Sequence, residues 1–173
     1  MKKMVLWALM VVAPFVAHAA NPIAGMYQTI DDKTNQPKSI VAIYEYNDDD
    51  DVEVAGRIVA LYGADGKISE TIANPVKIAD KVKGAPHYAG LDIIWDMEWD
   101  DDDNRYEDGK IMDPTSGSVY SSVIWQEAPG TLNVRGKIGP IGRTQKWRAL
   151  DAANLPAEIK NIDTSNWTPK IRK

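Results

Sequence analysis

In Leu91-Asp92-Ile93-Ile94-Trp95-Asp96-Met97-Glu98-Trp99-Asp100, apolar and acidic side chains alternate almost without a break. Leu91, Ile93, Trp95, Met97 and Trp99 fall on one face and Asp92, Asp96, Glu98 and Asp100 on the other, with Ile94 as the exception. A repeat of two belongs to an extended strand, because a helix would spread these positions around its axis. One apolar and one charged face specify an antiparallel sheet with a core on one side and water on the other.

Strands of the same kind are predicted at Gly25 to Ile30, Ser39 to Tyr46, Val52 to Tyr62, Lys110 to Met112, Val119 to Gln126, Thr131 to Ile138 and Arg143 to Leu150. The alternation puts Val54, Ile58 and Ala60 inward, and likewise Leu132, Val134 and Ile138, which leaves Arg135 and Lys137 in solvent. Ala64-Asp65-Gly66-Lys67 and Pro114-Thr115-Ser116-Gly117 have the residues of hairpin turns. Short strands in succession, with no helical stripe among them, make an all-β sandwich or barrel. From Thr71 to Gly90 the pattern fades into a Pro-bearing loop, long enough to cover a barrel end. After Leu150 a short helix is expected from Ala157 to Ile162, then a mobile or docked tail from Thr164 to Lys173.

The N-terminus has a different composition. Lys2 and Lys3 precede an apolar run from Val5 to Val16, and Ala17-His18-Ala19 supplies small residues at a cleavage point before Ala20. That is the pattern of a secretory signal, so residues 1–19 are read as a cleaved signal peptide and the product as periplasmic or secreted. The run is shorter than the roughly 20 residues a membrane-spanning helix needs, so no transmembrane anchor is expected. Residues 20–150 then form the β-domain and residues 151–173 a C-terminal extension. The chain has no cysteine, and its net charge of −5 becomes more negative once Lys2 and Lys3 leave. An acidic balance argues against nucleic acid and against anionic lipid headgroups, since both call for a basic face.

Few catalytic side chains remain. His18 departs with the signal, leaving His87 in the irregular loop, read as an exposed or capping residue. A single His and no Cys make a nitrogen-and-sulfur zinc site improbable and exclude thiol chemistry. No Gly-x-Ser-x-Gly elbow occurs. No metal and no cofactor is therefore expected, and no enzyme is read. Asp48 to Asp51 and Asp100 to Asp103 form two acidic runs beside strand ends, and calcium is one reading of them. The alternating ligands and sharp-turn Gly of a calcium loop are missing, and solvated tips that discourage edge pairing account for the runs more simply.

If Trp147 faces the core, period two puts Arg143 and Gln145 on the same inward face. A guanidinium there needs a partner. In one reading Arg143 and Gln145 hold the polar head of an apolar ligand walled by Trp95, Met97, Trp99, Trp125 and Trp147. In the other, Arg143 packs on an aromatic ring such as Tyr27 and closes one barrel end. The two are compatible.

Four ordered motifs carry a family resemblance: Gly25-Met26-Tyr27-Gln28-Thr29-Ile30-Asp31-Asp32-Lys33-Thr34; Gly109-Lys110-Ile111-Met112-Asp113-Pro114 with Gly117 and Tyr120; Val134-Arg135-Gly136; and Gly142-Arg143-Thr144-Gln145-Lys146-Trp147. Between Gly25 and Leu150 the chain resembles a group of exported bacterial proteins catalogued only as a domain of unknown function. The resemblance implies a lipocalin-like, calycin-type fold: a single antiparallel up-and-down β-barrel of about eight or more strands. Members of that fold usually carry small apolar molecules. Lipocalins typically open with Gly-x-Trp and stack a late Arg on that Trp; Tyr27 stands in the Trp position here.

The expected function is a non-enzymatic envelope protein holding a small hydrophobic or amphipathic ligand in its barrel, with Tyr27, Trp95, Met97, Trp99, Trp125, Arg143, Gln145 and Trp147 as ligand-binding residues. The alternative is a structural module with a filled barrel that docks an envelope protein partner through its acidic loops or C-terminal tail.

Overall fold

A computed structural model describes residues 23–49 and 51–172. The expected signal peptide, residues 1–19, lies outside the described residues. Among the described residues no helix is long and apolar enough to cross a membrane.

Ten strands follow in order: β1 Gly25–Ile30, β2 Pro37–Asp48, β3 Asp51–Tyr62, β4 Ile68–Thr71, β5 Asp92–Asp100, β6 Arg105–Glu107, β7 Lys110–Asp113, β8 Ser118–Ala128, β9 Thr131–Ile138 and β10 Ile141–Ala149. They pair antiparallel in the order β4-β3-β2-β1-β10-β9-β8-β6-β5-β7, and β3 also pairs with β5 to close the ring. The result is an up-and-down barrel of eight staves. β6 and β7 share one stave between β5 and β8, and β4 is an extra strand on the edge of β3. Among the described residues closure leaves no long unpaired edge, which a small β-protein would otherwise have to protect.

β4 and β6 are the strands the sequence did not announce. Each is too short, at four and three residues, to display a period of two. The shared stave breaks at Gly109, where a side chain would come within 2.6 Å of the Trp95 and Asp96 carbonyl oxygens. Asp96 itself is left-handed (φ 55), so β5 bulges there. The pairing of β5 with β3 also shifts on both sides of Gly56. These irregularities alter the expected two faces of β5. Ile93 and Ile94 both enter the core, while Asp92 is buried beside Arg57 instead of standing in solvent. A register shift between Ile40 and Val41 likewise turns Ala60 away from the barrel interior, where it was expected, to the outer face.

The barrel has two unlike ends. β1, β3, β7 and β9 run towards the end ringed by residues 31–36, 63–67, 114–117 and 139–140. The opposite end carries the acidic tips, residues 48, 49 and 51 on one side and 100–104 on the other. Ile43, Val54, Met97, Tyr106, Ile124 and Leu132 fill the interior on the acidic side. Residues 72–90 form the expected irregular loop, and its Ala79, Val82 and Tyr88 pack into the core near the other end.

Outside the barrel, a second apolar cluster of Ile40, Ala42, Val59 and Ala60 is covered by the C-terminal extension through Leu155, Ile159, Ile162 and Trp167. The expected helix at Ala157 to Ile162 does not form. The extension instead has one 3-10 turn at Ala152–Asn154, capped by Asp151, and then only turns. Six residues would give few helical hydrogen bonds for the cost of nucleation, while burying Ile159 against the sheet needs only a turn.

Candidate functional site

The core stops short of the end opposite the acidic tips. There the interior opens into a funnel of about 900 Å³, near the top of the range of about 300–1,000 Å³ in which small-molecule sites fall. Its apolar wall comes from Ile58, Ile93, Ile111, Met112, Val134 and Trp147, carried by the five strands β3, β5, β7, β9 and β10. Alternation explains why: Leu132, Val134, Gly136 and Ile138 share the inner face of β9, and Arg143, Gln145 and Trp147 share that of β10. Gly136 leaves the funnel wide at its middle, because a Cβ there would sit 3.3 Å from Ile111 and 3.7 Å from Tyr120.

Polar groups follow one another up the β10 wall. Trp147 is 2% exposed, and its Nε1 donates to Gln145 Oε1 at 3.2 Å. Gln145 Nε2 donates to Asp32 Oδ2 at 2.8 Å, and the same oxygen receives Arg143 Nη2 at 2.5 Å. Indole, amide and guanidinium therefore share the inner face, as expected. Arg143, however, is at the rim with its side chain 68% exposed, and its charge is met by Asp32. It does not stack on Tyr27. That ring is buried towards the acidic end, with its hydroxyl donating to the Ile23 carbonyl at 2.9 Å, and burial pushes its phenol up. Next to that wall, on β1 and β2, Thr29 and Ser39 join hydroxyls at 2.7 Å. Lys38, Lys77 and Lys137 also line the opening.

Two carboxylates at the opening are engaged in holding loops. The Thr34 and Lys33 amides and the Thr34 hydroxyl keep the Asp31 carboxyl below the usual range. Burial acts to raise Asp113, but hydrogen bonds from the Thr115 amide and hydroxyl and the Ser116 hydroxyl prevail and hold it low. Tyr88 is pushed up by burial and by the charges of Asp80 and Asp113.

The other expected wall residues are elsewhere. Trp95 and Met97 are fully buried in the packed core and do not border the funnel. Trp99 is 42% exposed at the far end, where β5 runs past the core; its ring leans on Tyr106 and its Nε1 donates to Asp101 Oδ1 at 2.6 Å. Trp125 pairs with Asn133 on the face opposite Ile124 and Val134, which puts it outside the barrel. Sequence reasoning missed Thr29, Ser39, Ile111 and Tyr120 as lining residues. The first two belong to mixed-polarity strands, Ile111 is on the four-residue β7, too short to read by period, and Tyr120 is its partner on β8.

The acidic tip brings Asp100, Asp103 and Glu107 within 4.8 Å of one another. Arg105 already pairs with both Asp103 and Glu107, so this cluster neutralises itself in part. His87 is exposed on its loop.

A stronger electrostatic network is on the outer face. Asp92, with no side-chain exposure, accepts from Tyr44 Oη at 2.7 Å, Arg57 Nε at 2.8 Å, Arg57 Nη2 at 2.9 Å and the Lys170 amide at 2.9 Å. Arg57 also donates to the Thr168 carbonyl at 3.0 Å and lies 4.3 Å above the Trp167 ring. It therefore clasps the C-terminal extension to the barrel. Burial first, then the charge of Asp92, push the Tyr44 phenol far up.

Comparison with known proteins agrees with this architecture. A solved structure, described as protein HP1028 from the human pathogen Helicobacter pylori belonging to the lipocalin family, superposes with a TM-score of 0.57 at 23% identity, covering 80% of this chain and 86% of that one. The likeness is one of fold. No curated protein matches the chain. A family model described as an uncharacterized protein conserved in bacteria, DUF2147, matches residues 25–149. With its lipocalin-like barrel spanning the same residues, the chain belongs to the DUF2147 family.

Proposed function

We propose that this protein is a non-enzymatic carrier of the cell envelope that holds one small hydrophobic or amphipathic molecule in its barrel. The observation that carries the reading is the funnel: a void of about 900 Å³ with an apolar wall, open to solvent at one end. A barrel of about eight strands can be filled by side chains or left with room for one small ligand. Here the acidic half is filled and the other half is not. The apolar part of a ligand would lie against Ile93, Ile111, Val134 and Trp147, and its polar group would meet Gln145, Arg143 and Asp32 at the rim. That arrangement, apolar walls with a few convergent polar groups, is how small-molecule sites combine affinity with orientation. An envelope location is supported by the signal-like pattern of residues 1–19.

The alternative, docking of a partner through the C-terminal tail, has less support. Trp167, Thr168 and Lys170 are engaged with Arg57 and Asp92 of their own barrel. Native mass spectrometry and solvent extraction of protein recovered from the periplasm of a bacterial host test the proposal. One small amphiphile per chain is expected; protein consistently empty after gentle recovery would contradict it.

A further inference from the structure

The three most exposed large apolar side chains among the described residues are Ile141 at 78%, Val76 at 71% and Ile138 at 69%. All three are at the funnel's opening. Ile138 and Ile141 face each other across the tip of the β9–β10 hairpin and line the funnel, and Val76 adjoins Lys77, which lines it too. Scattered surface isoleucines need no explanation, but apolar residues gathered at one rim do. Basic residues stand among them. Lys137 and Arg143 flank the two isoleucines on the same hairpin, and Lys38 and Lys77 line the rim farther round. Among the described residues Lys38, Lys77 and Lys137 are in no ion pair.

The chain's net charge of −5 hides this distribution. Its two acidic runs are at the other end of the barrel. β2, with twelve residues, connects the two ends and spans roughly 40 Å at about 3.3 Å per residue. Even after strand tilt, that separation is several times the Debye length of about 8 Å at physiological salt. A charged surface at the funnel end therefore meets Lys38, Lys77 and Lys137, beside Asp31 and Asp113 whose carboxylates are taken up by hydrogen bonds within their own loops, and the acidic tips are screened from it.

We infer that the open end of the barrel seats on an anionic lipid surface, with Ile138, Ile141 and Val76 entering the headgroup boundary and Lys38, Lys77 and Lys137 facing the lipid charges. Apolar tips ringed by basic residues are the chemistry such an interface selects. The expectation from composition, that an acidic chain avoids anionic lipid, thereby gives way to the arrangement of its charges. The inference stands whether or not the funnel carries cargo, because the rim residues act on the empty protein as well.

Vesicle sedimentation tests it, using purified wild type and variants with identical N-termini. The vesicles are phosphatidylcholine alone or phosphatidylcholine with about one-third phosphatidylglycerol. Wild type should pellet with the anionic vesicles only, and should be released by high salt. Ile138→Ser/Ile141→Ser and Lys137→Glu should each weaken partition roughly ten-fold or more. Trp99→Ser, which removes an exposed aromatic at the acidic end, should leave it unchanged. Ile138, Ile141 and Trp99 are exposed and Lys137 is half-buried, and unchanged melting curves will establish that the variants fold. Wild type remaining in the supernatant, equal pelleting with neutral vesicles, or full binding by the double isoleucine variant would each overturn the inference.

Discussion

Replacing Asp92 with asparagine should cost this small barrel a large part of its stability. The carboxylate has no side-chain exposure and accepts four hydrogen bonds, two from Arg57, one from Tyr44 and one from the Lys170 amide. An asparagine can present only one oxygen, so in either orientation its amide group points at existing donors. Arg57, with its side chain 11% exposed, would keep its charge and lose its counter-ion. Breaking a buried pair from one side costs about 3–5 kcal/mol, out of a total of about 5–15 kcal/mol for a domain. For a chain of this size that corresponds to a fall in Tm of about 10 °C. Arg57→Met alone should also destabilise, but Arg57→Met/Asp92→Asn should cost at least about 2 kcal/mol less than the sum, since the second change removes the stranded charge. Urea unfolding of the four proteins gives the cycle, and limited proteolysis reports whether the chain after Leu150 has come loose. A loss below about 1 kcal/mol for Asp92→Asn, or strict additivity, would refute the idea that this pair clasps the extension.

Two further outcomes follow from buried polar groups. Burial raises the Glu53 carboxyl above its usual range, the Tyr46 hydroxyl bonded to it pulls the other way, and the charges of Asp96, Asp48 and Glu98 add to the rise. Because the folded state then holds the proton more tightly than the unfolded one, this group's penalty is absent below the ordinary glutamate value of about 4.3 and grows as pH rises through the folded value. Glu53→Gln should therefore be more stable than wild type near pH 7 and indistinguishable near pH 3; a gap that persists or reverses in acid contradicts the assignment. Ser122 Oγ is buried without a hydrogen-bond partner among the described residues. Ser122→Ala should raise unfolding free energy by about 1 kcal/mol, and a comparable loss in denaturant melts would show that the hydroxyl is satisfied in solution.

The fold was legible where alternation runs unbroken. β1 and β9 occupy the spans their patterns mark, and the inner face of β10 carries Trp147, Gln145 and Arg143 together. Legibility failed where the chain departs from strict pleating. The bulge at Asp96 and the shifts around Gly56 alter the facing of β5, a backbone event with no signature in a two-letter pattern. Trp99 keeps its parity but lies beyond the core, because period reports which face a residue takes and not how far along the barrel it sits. Trp125 shows the converse, a large aromatic on an outer face that size alone marks as interior. The Arg57–Asp92 pair did leave a trace. Each is a single charge set in an apolar stretch, Val54 to Ala60 and Leu91 to Ile94, and Ile94 broke the charged face beside it. Such a lone charge signals a covered face, here the one beneath the C-terminal extension.

The central claim is that the half-open interior takes up a ligand. Its most direct measurement is titration of delipidated protein with a fluorescent fatty-acyl amphiphile, following energy transfer from tryptophan. Saturation at one probe per chain is expected for wild type. It should be abolished in Ile111→Trp, whose indole would occupy the void while leaving the outer surface and the rim charges untouched. Binding of equal strength in that variant, or a signal that never saturates, would mean the funnel is not where the molecule goes.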